Sequence, residues 1–131
     1  MTRIDGISSA AHARFVQRVR RRYSEEALTM APVLPDGAAQ YLFYQSLREK
    51  NLAVGEALRI TRQRVLERLA VLDCEQQLGL REVTQCMTQL AELALCEAYA
   101  QASTDLSGVH GTPQKADKSP SALCIIGMGK L

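Results

Sequence analysis

The sequence predicts a mainly α fold, an irregular four-helix bundle or set of helical hairpins. Three observations carry that prediction. Leu, Ala, Gln, Glu and Arg dominate a 131-residue chain in which aromatics reach only 5% and Trp is absent, a helix-forming mixture. Apolar residues recur at spacings of three and four over long stretches. Prolines and glycines gather at a few points and divide those stretches into separate elements. The length suffices for one domain with its own core, and an apolar share of 47% beside 23% charged residues is that of an ordinary globular protein.

The elements follow in order. A first helix starts behind Ser8 or Ser9 as a cap and runs to about Met30, with Phe15, Val16, Val19 and Tyr23 on one face. The turn Pro32–Val33–Leu34–Pro35–Asp36–Gly37 ends it, because two prolines and an Asp-Gly pair cannot continue a helix. A second helix spans Ala38 to Lys50, and Asn51 breaks or kinks it. The third, from about Val54 to Gln77, carries Leu58, Val65, Leu69 and Leu72 as a continuous stripe. Arg59, Arg62, Arg64 and Arg68, with Glu56 and Glu67, lie off that stripe. Gly79 reads as its C-cap residue, and the short Leu78–Gly79–Leu80 link favours an antiparallel hairpin. The fourth helix, from about Arg81 to Ala102, aligns Val83, Met87, Leu90 and Ala94, widened by Leu93 and Leu95.

Residues 1–102 thus read as a helical region. Residues 103–121, STDLSGVHGTPQKADKSPS, exchange aliphatics for polar and helix-breaking residues and read as a flexible surface linker. Residues 122–131 open with Leu123, Cys124, Ile125 and Ile126, an apolar run of strand type. Gly127, Met128, Gly129, Lys130 and Leu131 then begin a glycine turn with a lysine, of the kind that lets backbone N–H groups approach a phosphate. The run has no second strand to pair with. It is expected to fray, to pack on the helices or to pair with another chain.

The chemistry in these residues is sparse. A net charge of +2 does not call for a nucleic-acid partner. The run Arg18, Arg20, Arg21, Arg22, followed by Glu25 and Glu26, reads as a solvated and partly self-paired surface, with only Tyr23 nearby to stack on a base. Arg59, Arg62, Arg64 and Arg68 read either as a solvated helix face or as a grip on phosphate or an acidic partner. Cys74, Cys86, Cys96 and Cys124 include no C-x-x-C pair and read as buried, reduced thiols. His12 and His110 stand alone, without neighbours at zinc-ligand spacing. Paired carboxylates of D-x-D type, which two-metal phosphoryl chemistry needs, are missing. No apolar run approaches membrane-spanning length and the N-terminus lacks a signal-peptide core, so a cytoplasmic location is expected.

The glycine turn itself fits no complete nucleotide motif. A P-loop would need glycine where Cys124 stands and Ser or Thr where Leu131 stands, and the third glycine of G-x-G-x-x-G would fall one residue past the end. The residues alone leave a phosphate cradle and an ordinary tight turn equally open.

SALCIIGMGKL nevertheless resembles the opening of the nucleotidyltransferase domain of the glutamine synthetase adenylyltransferases, the bifunctional adenylyltransferase/adenylyl-removing enzymes. LRITRQRVLERLAVLD, from Leu58 to Asp73, is similar to the arginine-studded helix that precedes the domain in that family, and LAELALCEAYAQA, from Leu90 to Ala102, is similar to its next helix. The resemblance covers roughly the C-terminal two-thirds of the chain. It implies that residues 122–131 hold the first β-strand of an incomplete α+β nucleotidyltransferase domain, with Gly127, Gly129 and Lys130 as nucleotide- or phosphate-binding positions. It implies a parent enzyme that uses ATP or ADP and Mg2+ to move AMP on and off a tyrosine of glutamine synthetase in nitrogen regulation, governed by a PII-type signalling protein. Helices that begin near Met1 suggest a fragment from the adenylyl-removing half. The metal-binding aspartates of the family do not occur here, so the chain alone is expected to be inactive. Two other readings stand beside it: an N-terminal extension of a dinucleotide-binding oxidoreductase, and a helical protein-interaction module.

Overall fold

A computed structural model describes residues 9–25, 30 and 32–128. Its element order is a 3-10 turn Ser9–His12, then α1 Arg14–Arg22, α2 Gly37–Glu49, α3 Val54–Gln76 and α4 Leu80–His110. These are four α-helices among the described residues, as the periodicity predicts.

Helix α1 is shorter than expected. Ser9 opens the 3-10 turn instead of capping a helix, and Ala13 precedes α1 with no side-chain cap. Ser8, the other predicted cap, lies outside the described residues. Val16 and Val19 are buried, one turn apart. The helix stops at Tyr23, whose φ of −123° leaves the helical region while its N–H still bonds the Val19 carbonyl. Arg20, Arg21 and Arg22 fill the last turn, where cations complement the helix dipole. Met30, the expected helix end, is a buried residue outside any helix.

Helix α2 begins and ends almost where the sequence puts it. Asp36 caps it, its Oδ1 accepting from Ala39 N–H at 2.8 Å. At the other end Asn51 takes a left-handed φ of 63°, a conformation that asparagine tolerates better than most residues. Arg48 donates to the Leu52 carbonyl and closes the turn into α3.

Helix α3 is the centre of the molecule, packed against α1, α2, α4 and the 3-10 turn. Its stop differs from the expectation. Gln77 is the left-handed cap residue, with φ 51° and its N–H on the Asp73 carbonyl. Gly79 instead stands at the start of α4 with an ordinary φ of −66°. There Glu82 reaches back and accepts from Gly79 N–H at 2.8 Å, one half of a capping box. The reciprocal half cannot form, since glycine has no side chain.

Two apolar clusters flank α3. The larger joins Phe43, Tyr44 and Leu47 of α2 to Ala57, Ile60, Val65 and Leu69 of α3 and Cys86 and Leu90 of α4. The smaller joins Ala10, Val16 and Val71. Serving both sides, α3 buries residues over roughly 200° of its circumference at 3.6 residues per turn. The apolar stripe through Val65, Leu69 and Leu72 is one part of that arc. Arg64 and Glu67, which the sequence reading puts off the stripe and in solvent, belong to another part and are 2% and 1% exposed.

The C-terminal third departs further. Helix α4 continues through Ser103–His110, eight residues into the segment whose composition reads as a linker. Local bonds sustain it: Gln101 Nε2 donates to Asp105 Oδ1 at 2.8 Å, and Thr104 Oγ1 to the Ala100 carbonyl at 2.9 Å. Gly111 stops it with a φ of 81°. Residues 113–121 then form a small turn closed by the Gln114–Pro120 bridge, with Ser121 N–H on the Pro113 carbonyl at 2.9 Å. Asp117 Oδ1 accepts from Ser119 N–H and Oγ, and those bonds hold its carboxyl below the usual range. The β-strand expected at residues 122–131 is not formed over 122–128, which run as coil. A strand needs a neighbour, and none of the described residues supplies one.

Candidate functional site

The predicted phosphate turn begins at the chain's exposed edge. Gly127 is exposed coil, while Gly129, Lys130 and Leu131 lie outside the described residues. What is described is how the segment before it is held. Leu123 N–H points to the Tyr99 hydroxyl at 3.4 Å, a long contact, and Leu123 and Ile125 line a concavity with Leu95, Cys96 and Tyr99. The tail therefore doubles back along α4 instead of extending from its end. Residues 122–128 nevertheless stay exposed, so the contact with α4 is slight.

Between the tail and α4 runs a groove of about 520 Å3, walled by Tyr99, Leu106, His110, Pro113 and Leu123. Leu106, Val109, Leu123, Ile126 and Met128 expose 58%, 76%, 70%, 77% and 87% of their surface. Two of these, Leu106 and Leu123, line the groove and give it an exposed apolar wall. Sequence reasoning missed the groove because it assigned residues 103–110 to a linker. The available signal was Tyr99, an aromatic on the outer face of a helix in a chain with few aromatics.

The arginines do not converge. Arg59 and Arg62 are exposed, Arg68 is half-buried and Arg64 is buried. Arg64 Nη1 lies 3.4 Å from Glu67 Oε2, and Arg20 Nε of α1 donates to Glu67 Oε1 at 2.7 Å. The Arg20 pair joins α1 to α3 across 47 positions of sequence, whereas Glu26, one of the carboxylates expected to pair within the run, lies outside the described residues. This cluster is built from a charged side chain shielded on both sides. It ties two helices and has no open face for a phosphate.

A second buried polar group links α2 and α4. Gln40 Nε2 donates to the Pro35 carbonyl at 2.9 Å and to the Cys86 carbonyl at 3.1 Å, and the Cys86 thiol donates to Pro35 at 3.2 Å. Burial pushes the Cys86 thiol up, so it stays protonated and unreactive. Tyr44 is likewise raised, by burial first and then by Glu97. Of the four cysteines only Cys86 is buried. Cys74, Cys96 and Cys124 are exposed, which corrects the expectation of buried thiols, because each stands off the packed face of its segment.

Among the described residues no group of three or more His, Cys, Asp or Glu is placed to hold a metal ion. Asp105 and Asp117 are engaged with Gln101 and Ser119, and His12 and His110 are exposed and apart. The residues described do not fit a magnesium site. None of the described helices is long and apolar enough to cross a membrane.

Comparison with known proteins gives the segment its setting. The family model for glutamate-ammonia ligase adenylyltransferase matches residues 8–131. Seven curated relatives carry the name bifunctional glutamine synthetase adenylyltransferase/adenylyl-removing enzyme. The one from Bordetella pertussis is 41% identical over 75 residues, 56% of this chain and 8% of its own length. That from Thioalkalivibrio sulfidiphilus is 39% identical over 83 residues, 63% of this chain and 9% of its own. That from Ralstonia nicotianae is 36% identical over 91 residues, 69% of this chain and 10% of its own. The chain thus spans about a tenth or less of the relatives it matches. No solved structure matches it. A match that spans residues 8–131, on a helical scaffold of the predicted kind, makes this chain a member of the glutamate-ammonia ligase adenylyltransferase family.

Proposed function

We propose that this chain is the helical lead-in and first strand of a nucleotidyltransferase domain, in a cytoplasmic enzyme that adds AMP to glutamine synthetase and removes it. The observation that carries this reading is the family match over residues 8–131, whose range includes the glycine turn. The relatives' names supply the reaction and the substrate. They speak against the dinucleotide-dependent oxidoreductase considered from the two glycines alone.

On this reading residues 122–128 become a strand once the rest of a sheet lies beside them. The unpaired backbone of that segment and the apolar side chains of Leu123, Ile125 and Ile126 are suited to such a neighbour. Gly127 and Gly129 then let a nucleotide phosphate approach the backbone, and Lys130 offers a cation to it. Mg2+ and ATP or ADP belong to the complete domain, where the metal neutralises developing phosphate charge. A PII-type protein is the expected regulator. The 131 residues by themselves neither transfer nor remove AMP.

Two assays test this. The isolated chain, given Mg2+, phosphate and adenylylated glutamine synthetase, is expected to show no turnover, and turnover would overturn the claim of incompleteness. Exchanging the matched segment of the Bordetella pertussis relative for this chain is expected to leave both reactions measurable. Lys130→Ala in that chimera then lowers the rate on the order of a hundredfold, the usual cost of one lost electrostatic contact. A folded but inactive chimera would sink the assignment.

A further inference from the structure

We propose that the outer face of α1 is a docking surface for an acidic polypeptide segment. Arg14, Arg18, Arg21 and Arg22 are all exposed. At 3.6 residues per turn they share roughly 100° of the helix, opposite the buried Val16 and Val19. With Gln17 they line a shallow concavity of about 420 Å3. Arg20, on the inner side, pairs with Glu67, whereas none of the other four makes an ion pair with a described residue. A nine-residue helix that holds four such cations on one face carries a local positive potential that the chain's net charge of +2 conceals.

The chemistry of the face selects among anions. Arginine forks bind carboxylates in two parallel hydrogen bonds, and spacings of three and four along α1 match those of carboxylates on a partner helix. Arg18 lies over the Phe15 ring at 5.9 Å and Arg22 over Tyr23 at 5.5 Å, so those two forks are already oriented and partly stripped of water. The same contacts argue against single-stranded nucleic acid, because they cover the two rings on which bases would stack. Helix α1 is also only about 13 Å long at 1.5 Å per residue, enough for few phosphates of a duplex.

Fluorescence anisotropy with the full 131-residue chain tests this, using a labelled peptide of Glu-Ala-Ala-Glu repeats and an oligothymidylate of matching charge as probes. The peptide is expected to bind more tightly than the oligothymidylate and to weaken as salt rises from about 50 to about 300 mM. Replacing Arg14, Arg18 and Arg21 together by Gln should weaken peptide binding about tenfold, while Arg59→Gln with Arg62→Gln, two exposed arginines of α3, should change it by less than about twofold. Circular dichroism checks that the triple variant folds. If it does not, the single Arg18→Gln and Arg21→Gln variants carry the test, each expected to lose about twofold. The proposal is overturned by peptide binding too weak to detect at low salt, by equal loss in the α3 variant, or by tighter binding of the oligothymidylate.

Discussion

From Leu80 to Glu97, helix α4 packs on the core through Cys86, Leu90 and the partly buried Leu93, and Glu97 bonds Tyr44; from Ala98 to His110 it buries no side chain. The two stretches share one backbone conformation for different reasons. The first is held by packing against α2 and α3, where Gln40 also bonds the Cys86 carbonyl. The second is held by helix propensity and by bonds between its own turns, such as Gln101 to Asp105. Leu123, ahead of the glycine turn, meets this second, exposed stretch at Tyr99. The difference teaches that the helices around α3 supply stability, while the far half of α4 presents a surface.

Truncating a core leucine should break the comparison most sharply. Leu47→Ala, at a residue 1% exposed, should cost about 3 kcal/mol in urea unfolding, whereas Leu106→Ala should cost less than about 0.5 kcal/mol. Equal costs would mean that the far half is part of the core. Glu67→Gln comes next, at about 2 kcal/mol, because it removes the buried carboxylate that pairs with both Arg64 and the bridging Arg20. Much of that loss should be shared by Arg20→Gln if the α1–α3 tie is its source.

Smaller effects sharpen the picture. Gly111→Ala forces a side chain into a φ of 81°, so about 1 kcal/mol of local strain should fray α4 near His110. Amide exchange should register this while the urea midpoint of the core stays put. Alkaline pH probes the packed side. Burial holds the Cys86 thiol above its ordinary 9.0 and the Tyr44 phenol above 10.0. The folded chain therefore retains protons that the unfolded chain releases, and stability that is complete below about pH 9 should fall as pH rises beyond it. Tyr44→Phe should flatten the upper part of that decline. Thiol labelling of the native chain should modify Cys74, Cys96 and Cys124 quickly and Cys86 only on unfolding.

The middle of the fold was legible because its signals are local. The turn over Pro32–Gly37, the Asn51 break and the Val54 start of α3 each follow from a few neighbouring residues. What escaped the sequence depends on neighbours. Arg64 and Glu67 look like surface residues until α1 is placed over them. Gly79 looks like a stop until Gln77 takes the left-handed position and Glu82 turns back onto it. Ser103–His110 looks like a linker because solvent-facing helix and loop draw on the same polar residues. The glycine turn was legible as a motif, yet its conformation depends on strands that the described residues do not contain.

The doubling-back of the tail makes the azimuth of Tyr99 a phase constraint. Deleting one residue between Tyr99 and His110 would rotate everything downstream by about 100° about the α4 axis, carrying Leu123 away from the tyrosine hydroxyl. Removing seven residues, close to two whole turns, would nearly restore the bearing. Such a deletion would still draw the tail about 10 Å along the α4 axis at 1.5 Å per residue, so the contact fixes the length of this stretch as well as its phase.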